Sequence, residues 1–181
     1  MAELKQEQAA KKGDLRMIAL KIEDLKTFTA QLFMGETFDY WLVREANIVT
    51  FNSFTIDGRI RQGYYSDEEL ETNRIEELSS WKTLRPFCYS LIRGRKLPES
   101  FQITLQLSPE ENEKFIRRVK PDLSADQVAA LYLNIRYENH AAACVTGTSL
   151  KIFMLDKQIE QEWDETVRRY FKKLQIPYVE V

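Results

Sequence analysis

The stretch FQITLQLSPEENEKFIRRV, Phe101 to Val119, carries two periodicities in succession. Phe101, Ile103 and Leu105 alternate with polar residues, the pattern of a strand with one buried face. Ser108-Pro109-Glu110-Glu111 then reads as a capping box with proline at the first helical position, where its missing N–H costs nothing. Phe115, Ile116 and Val119 follow at helical spacing as an apolar stripe. The stretch is therefore strand, cap and amphipathic helix, each buried on one side only, and such elements must cover one another.

Upstream the same order occurs once before. MIALKI, from Met17, alternates as a strand with Ile18, Leu20 and Ile22 on one face. Ile22, Leu25, Phe28 and Leu32 then fall at helical spacing, and Gly35 is placed to stop the helix. FDYWLVREANIVTFNSFTIDGRIRQGYY, Phe38 to Tyr65, is rich in β-branched and aromatic residues. With Glu45-Ala46-Asn47 and Asp57-Gly58 as turn signals it predicts three strands. Downstream, ALYLNIRYE, HAAACVTG and SLKIFM predict two or three more, with turns near Asn139 and Gly147. The first of these also fits a helix through Val128, Leu131, Tyr132 and Ile135, but its β-branched and aromatic composition favours strand.

Between the two units lies a helical insert. Ser66 and Glu69 form a capping box, and Leu70, Ile75, Leu78 and Trp81 supply a buried stripe; a second helix begins near Pro86 and fails at Gly94. The chain ends on a long amphipathic helix, Asp156 to Leu174, buried through Ile159, Trp163, Val167, Tyr170, Phe171 and Leu174, then a short strand, PYVEV. The expected fold is α+β: an antiparallel-rich sheet of two strand-helix-three-strand units, about residues 17–65 and 101–154, with a helical insert and a long C-terminal helix. Residues 1–16, polar and poor in apolar residues, are expected to form a flexible arm ahead of a single domain, 17–181.

This element order resembles that of a DNA sliding-clamp domain, whose helices line a central hole and face DNA with basic residues. Lys114, Arg117, Arg118 and Lys120 on the second helix follow that pattern; Glu23, Asp24 and Lys26 on the first do not. MIALKIEDLKTF and FDYWLVREANIVTFNSFTIDG are also similar to an uncharacterised family of small cytosolic proteins from anaerobic Gram-positive bacteria. That resemblance implies no activity.

Composition narrows function by exclusion. The 181 residues carry a formal net charge of −2, so no global field draws the protein to nucleic acid or membrane. The N-terminal residues lack a signal-peptide apolar run and no segment approaches the roughly 20 apolar residues of a spanning helix, so a cytoplasmic protein without a membrane partner is expected. Cys88 and Cys144 with the lone His140 cannot supply a four-ligand zinc site. No cofactor is implied. His140 and Cys144, four apart on a strand or turn, stand some 13 Å from each other, too far for a thiolate and its base. Thr146-Gly147-Thr148-Ser149 lacks the lysine and glycine spacing of a phosphate loop and reads as a tight turn. The acids of residues 67–77 read as a solvated face, and Arg168, Arg169, Lys172 and Lys173 stand where the last helix's dipole favours cations. No residue is a catalytic candidate.

One local concentration remains. WKTLRPFCYSLIRGRKLP, Trp81 to Pro98, contains five cations and no acid. In one reading Trp81, Leu84, Phe87, Cys88, Leu91 and Ile92 form a buried stripe and the cations decorate a helix end. In the other, Lys82, Arg85, Arg93, Arg95 and Lys96, extended by Arg117 and Arg118, form a phosphate-binding patch with Tyr89 stacking on a base. The partner would then be nucleic acid or a nucleic-acid-associated protein; a small-molecule binder or enzyme with a pocket between sheet and helices is the alternative.

Overall fold

The structure is a computed structural model and describes residues 17–181; the expected arm, 1–16, lies outside the described residues. A seven-stranded sheet, antiparallel throughout, is ordered β3-β2-β4-β5-β6-β1-β7. Its strands are β1 (Ala19–Ile22), β2 (Leu42–Val49), β3 (Ser53–Asp57), β4 (Ser100–Gln106), β5 (Val128–Glu138), β6 (Ala141–Leu150) and β7 (Tyr178–Glu180). The helices are α1 (Leu25–Phe33), α2 (Asp67–Thr72), α3 (Trp81–Ile92), α4 (Pro109–Val119) and α5 (Gln158–Lys173). The α+β expectation and the long C-terminal helix hold.

The alternation read in β4 recurs across the registered strands. Ala46, Ile103, Ile135, Cys144 and Leu20 lie side by side on one face and all are buried in the same core as Phe28, Trp81, Ile116 and Trp163. Asn47, Gln102, Arg136 and Ala143, one position along, lie on the opposite face and are polar or small. One face of the sheet thus carries the helices and the other is open, the arrangement that alternation dictates. The ambiguous segment from Val128 is strand because it pairs with β4 and β6 along its length.

Each unit contributes two strands after its helix, where three were expected. Glu45-Ala46-Asn47 is not a turn: β2 runs through it with a register shift between Val43 and Glu45. That bulge exposes Arg44 and Glu45 in succession, which imitates turn composition. Beyond Asp57 the chain makes a bridge from Arg59 to Leu78 and a 3-10 turn at Gln62–Tyr64. Gly58 sits where a Cβ would lie 1.7 Å from the Val43 carbonyl oxygen, so only glycine permits this approach to the bulge. Gly147 is likewise no turn. β6 continues through it opposite Tyr132, and the expected strand SLKIFM becomes the end of β6 and a loop in which Ile152, Phe153 and Leu155 are exposed.

The insert also departs from expectation. The capping box at Ser66 and Glu69 is complete, but α2 ends at Thr72, Leu70 is exposed, and Leu78 is buried through its bridge to Arg59. Trp81 opens α3 under a Ser80 cap, so the second helix begins before Pro86, which sits within it and is exposed. At that place proline forfeits one bond, to the carbonyl of exposed Lys82, which water can reach. Ser108 caps α4 as expected, while Glu111, which would complete the box, bonds Lys114 instead. Helix α1 starts after Asp24, whose carboxylate accepts the Thr27 N–H; Ile22 belongs to β1.

Helix α5 buries Ile159, Trp163, Val167 and Phe171, and Trp163 Nε1 donates to the Tyr132 carbonyl at 2.9 Å. Beside them is a buried carboxylate. The Thr146 hydroxyl donates to Asp164 and accepts the Ile18 N–H at 3.1 Å, linking α5, β6 and the approach to β1. Burial raises the Asp164 pKa above the ordinary aspartate value; the Thr146 hydroxyl and then Arg168 oppose that shift, and Glu180 adds to it. A raised folded pKa means the native state holds this proton more tightly than the unfolded chain, so the contribution to stability is full in acid and is lost as pH rises through the folded pKa. Asp164→Asn keeps an oxygen to accept the Thr146 hydroxyl and removes the charge. Denaturant melts from about pH 4 to 7 should show the parent losing stability with rising pH relative to the variant; parallel curves would contradict the burial argument.

Candidate functional site

The basic stretch does not act as one surface. Arg85 reaches Asp39 through two hydrogen bonds, Nε to Oδ1 at 2.9 Å and Nη2 to Oδ2 at 3.0 Å. Asp39 is 4% exposed, and the two side chains are 17% and 5% exposed. A fork-to-carboxylate pair shielded this well is committed to the fold. Tyr89 packs against the core, and Cys88 is buried with its thiol pushed up to about 12, so it carries no thiolate at neutral pH. Burial raises the Cys144 thiol too, and His140 occupies the β5–β6 turn with φ 60°, apart from it. Arg117 pairs with Glu113, and Arg118 lies over the Phe115 ring at 5.5 Å.

Lys82, Arg93, Arg95 and Lys96 are exposed, and no carboxylate among the described residues lies within ion-pair distance of them. Phe87, expected in the buried stripe, is exposed beside them, as is Leu97. Helix α3 packs on β2 and α1, whereas α4 packs on α5 and β5. The eight expected residues therefore divide between two packing units, with Arg85 and Tyr89 taken up by the core.

Arg85 instead builds the wall of a cleft. Asp39 lies in the segment 34–41 between α1 and β2, which has no helix or strand of its own. Three further bonds hold it: the Trp81 N–H donates to the Trp41 carbonyl at 2.7 Å, the Lys82 N–H to the Asp39 carbonyl at 3.2 Å, and the Tyr170 hydroxyl to the Thr37 carbonyl at 2.8 Å. Phe38 and Trp41 turn inward, and Tyr40 is left 91% exposed.

Across from this wall stand α4 and α5, enclosing a cleft of about 810 Å³. Its floor is aromatic. Trp41 lies 6.0 Å from Trp163 and 5.8 Å from Tyr170, and Phe115 meets Trp163 edge-to-face at 5.8 Å, centroid to centroid. Trp41 Nε1 donates to the Tyr170 oxygen at 3.3 Å, so both polar tips are satisfied; Trp41, Phe115 and Trp163 are buried against one another as an apolar base, and Tyr170 is half-buried beside them. Burial raises the Tyr170 pKa, keeping it a phenol. The rim carries Tyr40, Lys114, Arg118 and the acids Glu110 and Glu111. Lys114 is bound by both of those acids. Arg118 has the Phe115 ring and the Thr166 hydroxyl and no carboxylate partner among the described residues. Only Arg118 and the Lys114 helix pattern were visible in the sequence; Tyr40 and Trp41 were read as strand.

Among the described residues no three acidic, histidine or cysteine side chains are grouped to hold a metal ion, and no helix is long and apolar enough to cross a membrane. What the site defines is a preformed aromatic cleft on the helical side of an antiparallel sheet. The pattern of DUF5721, a family of unknown function, matches residues 31–179, and the chain belongs to that family. No curated protein and no solved structure matches it.

The burial of Asp39 gives a test of this wall. Arg85→Ala leaves a carboxylate in the interior without its partner and should destabilise the protein by about 3–5 kcal/mol in chemical denaturation, against about 0–1 for Lys82→Ala. Equal stability of the two variants would mean that Arg85 is a surface cation after all.

Proposed function

We propose that this protein binds a planar organic molecule carrying an anionic group, in the cleft between segment 34–41, α4 and α5. The observation that carries the reading is the convergence of Trp41, Phe115, Trp163 and Tyr170 on one open cavity with Arg118 at its rim. A volume of about 810 Å³ falls in the range of small-molecule sites, about 300–1,000 Å³, which combine an apolar lining with a few placed polar groups. Tyr40, exposed and at the edge, would close over a flat guest, and Arg118 would meet its carboxylate or phosphate.

A second reading rests on Arg93, Arg95 and Lys96 beside exposed Phe87: a surface for single-stranded nucleic acid or a nucleic-acid-associated protein. It draws on a different face of α3 and does not need the cleft.

One titration series separates them. Tryptophan fluorescence followed with nucleoside monophosphates, their parent nucleosides and aromatic carboxylates should show saturable quenching by a planar anion, weakened several-fold by Tyr40→Ala and by Arg118→Gln. If instead only oligonucleotides bind, with a log–log salt slope reduced by about 2–3 units when Arg93, Arg95 and Lys96 are neutralised together, the second reading replaces the first. No binding by any of these compounds at millimolar concentration overturns both.

A further inference from the structure

A second large cavity opens on the other side of the Leu107–Pro109 corner, a crevice of about 840 Å³ between the β2 bulge, the end of β3 and the start of β5. Two side-chain carbonyls in its lining have unmet hydrogen-bonding capacity. Asn112, 8% exposed, donates Nδ2 to the Val128 carbonyl at 3.0 Å, which fixes the orientation of its amide and leaves Oδ1 buried without a partner among the described residues. Gln106 Oε1 is also buried and has no partner among the described residues. Buried polar atoms are almost always paired, so two orphan acceptors in one cavity call for a donor from beyond the described residues. Both accept only, and neither can satisfy the other.

The charges around them select the donor. Carboxylates at Glu45, Asp57, Glu77, Glu113 and Asp126 outnumber the cations Arg44, Arg59 and Lys151. Arg59 is bound to Asp57, and the Arg44 guanidinium lies over the Tyr132 ring at 5.8 Å. Glu113 is held by Arg117. That leaves Glu45, Glu77 and Asp126 without an ion-pair partner among the described residues, with Arg44 and Lys151 as the opposing charges. An anionic guest would bring further acceptors to two oxygens that need donors. A bare metal ion finds no grouped ligand set among the described residues.

We propose that this crevice binds an organic cation, a primary ammonium or guanidinium group, whose N–H groups reach Gln106 Oε1 and Asn112 Oδ1 and whose charge is balanced by Glu45 and Glu77. The site is independent of the aromatic cleft, which none of these four residues lines.

Isothermal titration of the full chain with agmatine and with spermidine tests it, with urea as the neutral donor and inorganic phosphate as the anion. Saturable binding of an organic cation is expected, with no binding of urea or phosphate. Glu77→Gln and Gln106→Leu should each weaken it about tenfold, and Lys151→Gln should tighten it. Asn112→Ala is avoided because it also frees the Val128 carbonyl. Should Gln106→Leu fail to fold, the exposed positions Glu77 and Lys151 still decide. Absence of cation binding at millimolar concentration, or binding indifferent to Glu77→Gln and Lys151→Gln, would overturn the proposal and leave the two oxygens to water.

Discussion

The pair formed by Asp39 and Arg85 is the contact on which the helical side of this protein turns. It is the most shielded ion pair among the described residues, and it joins a segment without regular structure to the first half of α3. Removing two charges from water is costly unless geometry and hydrogen bonds compensate, and here a forked guanidinium meets both carboxylate oxygens. The backbone supports the same join, since the N–H groups of Trp81 and Lys82 donate to the carbonyls of Trp41 and Asp39. Trp81 extends it inward: fully buried, it donates Nε1 to the Leu32 carbonyl at the end of α1 and packs edge-on to Phe33. With α1, α3 and segment 34–41 fixed together, Trp41 is delivered to Trp163 and Tyr40 is turned out to solvent.

Consequences follow on both sides of one corner. The Leu107–Pro109 turn, which carries β4 into α4, separates an aromatic cleft from a polar crevice. The first is shaped by side chains whose polar tips are already satisfied, which suits a flat guest. The second keeps acceptors that nothing among the described residues satisfies, which suits a donor. The same strand-to-helix unit thus supports two chemically opposite surfaces.

The sequence made the fold legible where burial is one-sided and periodic. Phe101, Ile103 and Leu105 in β4 and Ile159, Trp163, Val167 and Phe171 in α5 could be read because each buried residue recurs at the period of its element. Legibility failed where backbone irregularity broke the period. The bulge at Val43 and Glu45 exposes two polar neighbours and looks like a turn; α2 ends at Thr72 although apolar residues continue to Leu78; Gly147 lies mid-strand where a turn was expected. The site was less legible still. Arg85 is distinguished from Arg93 by Asp39, 46 residues upstream, and a local charge run cannot reveal a distant buried partner. The cleft draws on residues from Thr37 to Tyr170, and the capping box at Ser108 and the stripe through Trp163, Val167 and Tyr170 were legible only as helix signals, not as parts of one site. The adjacent aromatics Tyr40-Trp41 beside an acid offered a further signal, and their β propensity concealed it.

Amide hydrogen exchange over segment 34–41 tests the central claim, that this irregular stretch is a rigid wall fixed by Asp39 and Arg85. The Trp41 N–H, bonded to the Phe38 carbonyl at 3.0 Å, and the Lys82 N–H should be protected to nearly the level of β4, and Arg85→Ala should release both. Exchange in the parent protein as fast as that of the exposed loop around Phe153 would contradict the account, because a wall that opens freely cannot hold the cleft in shape.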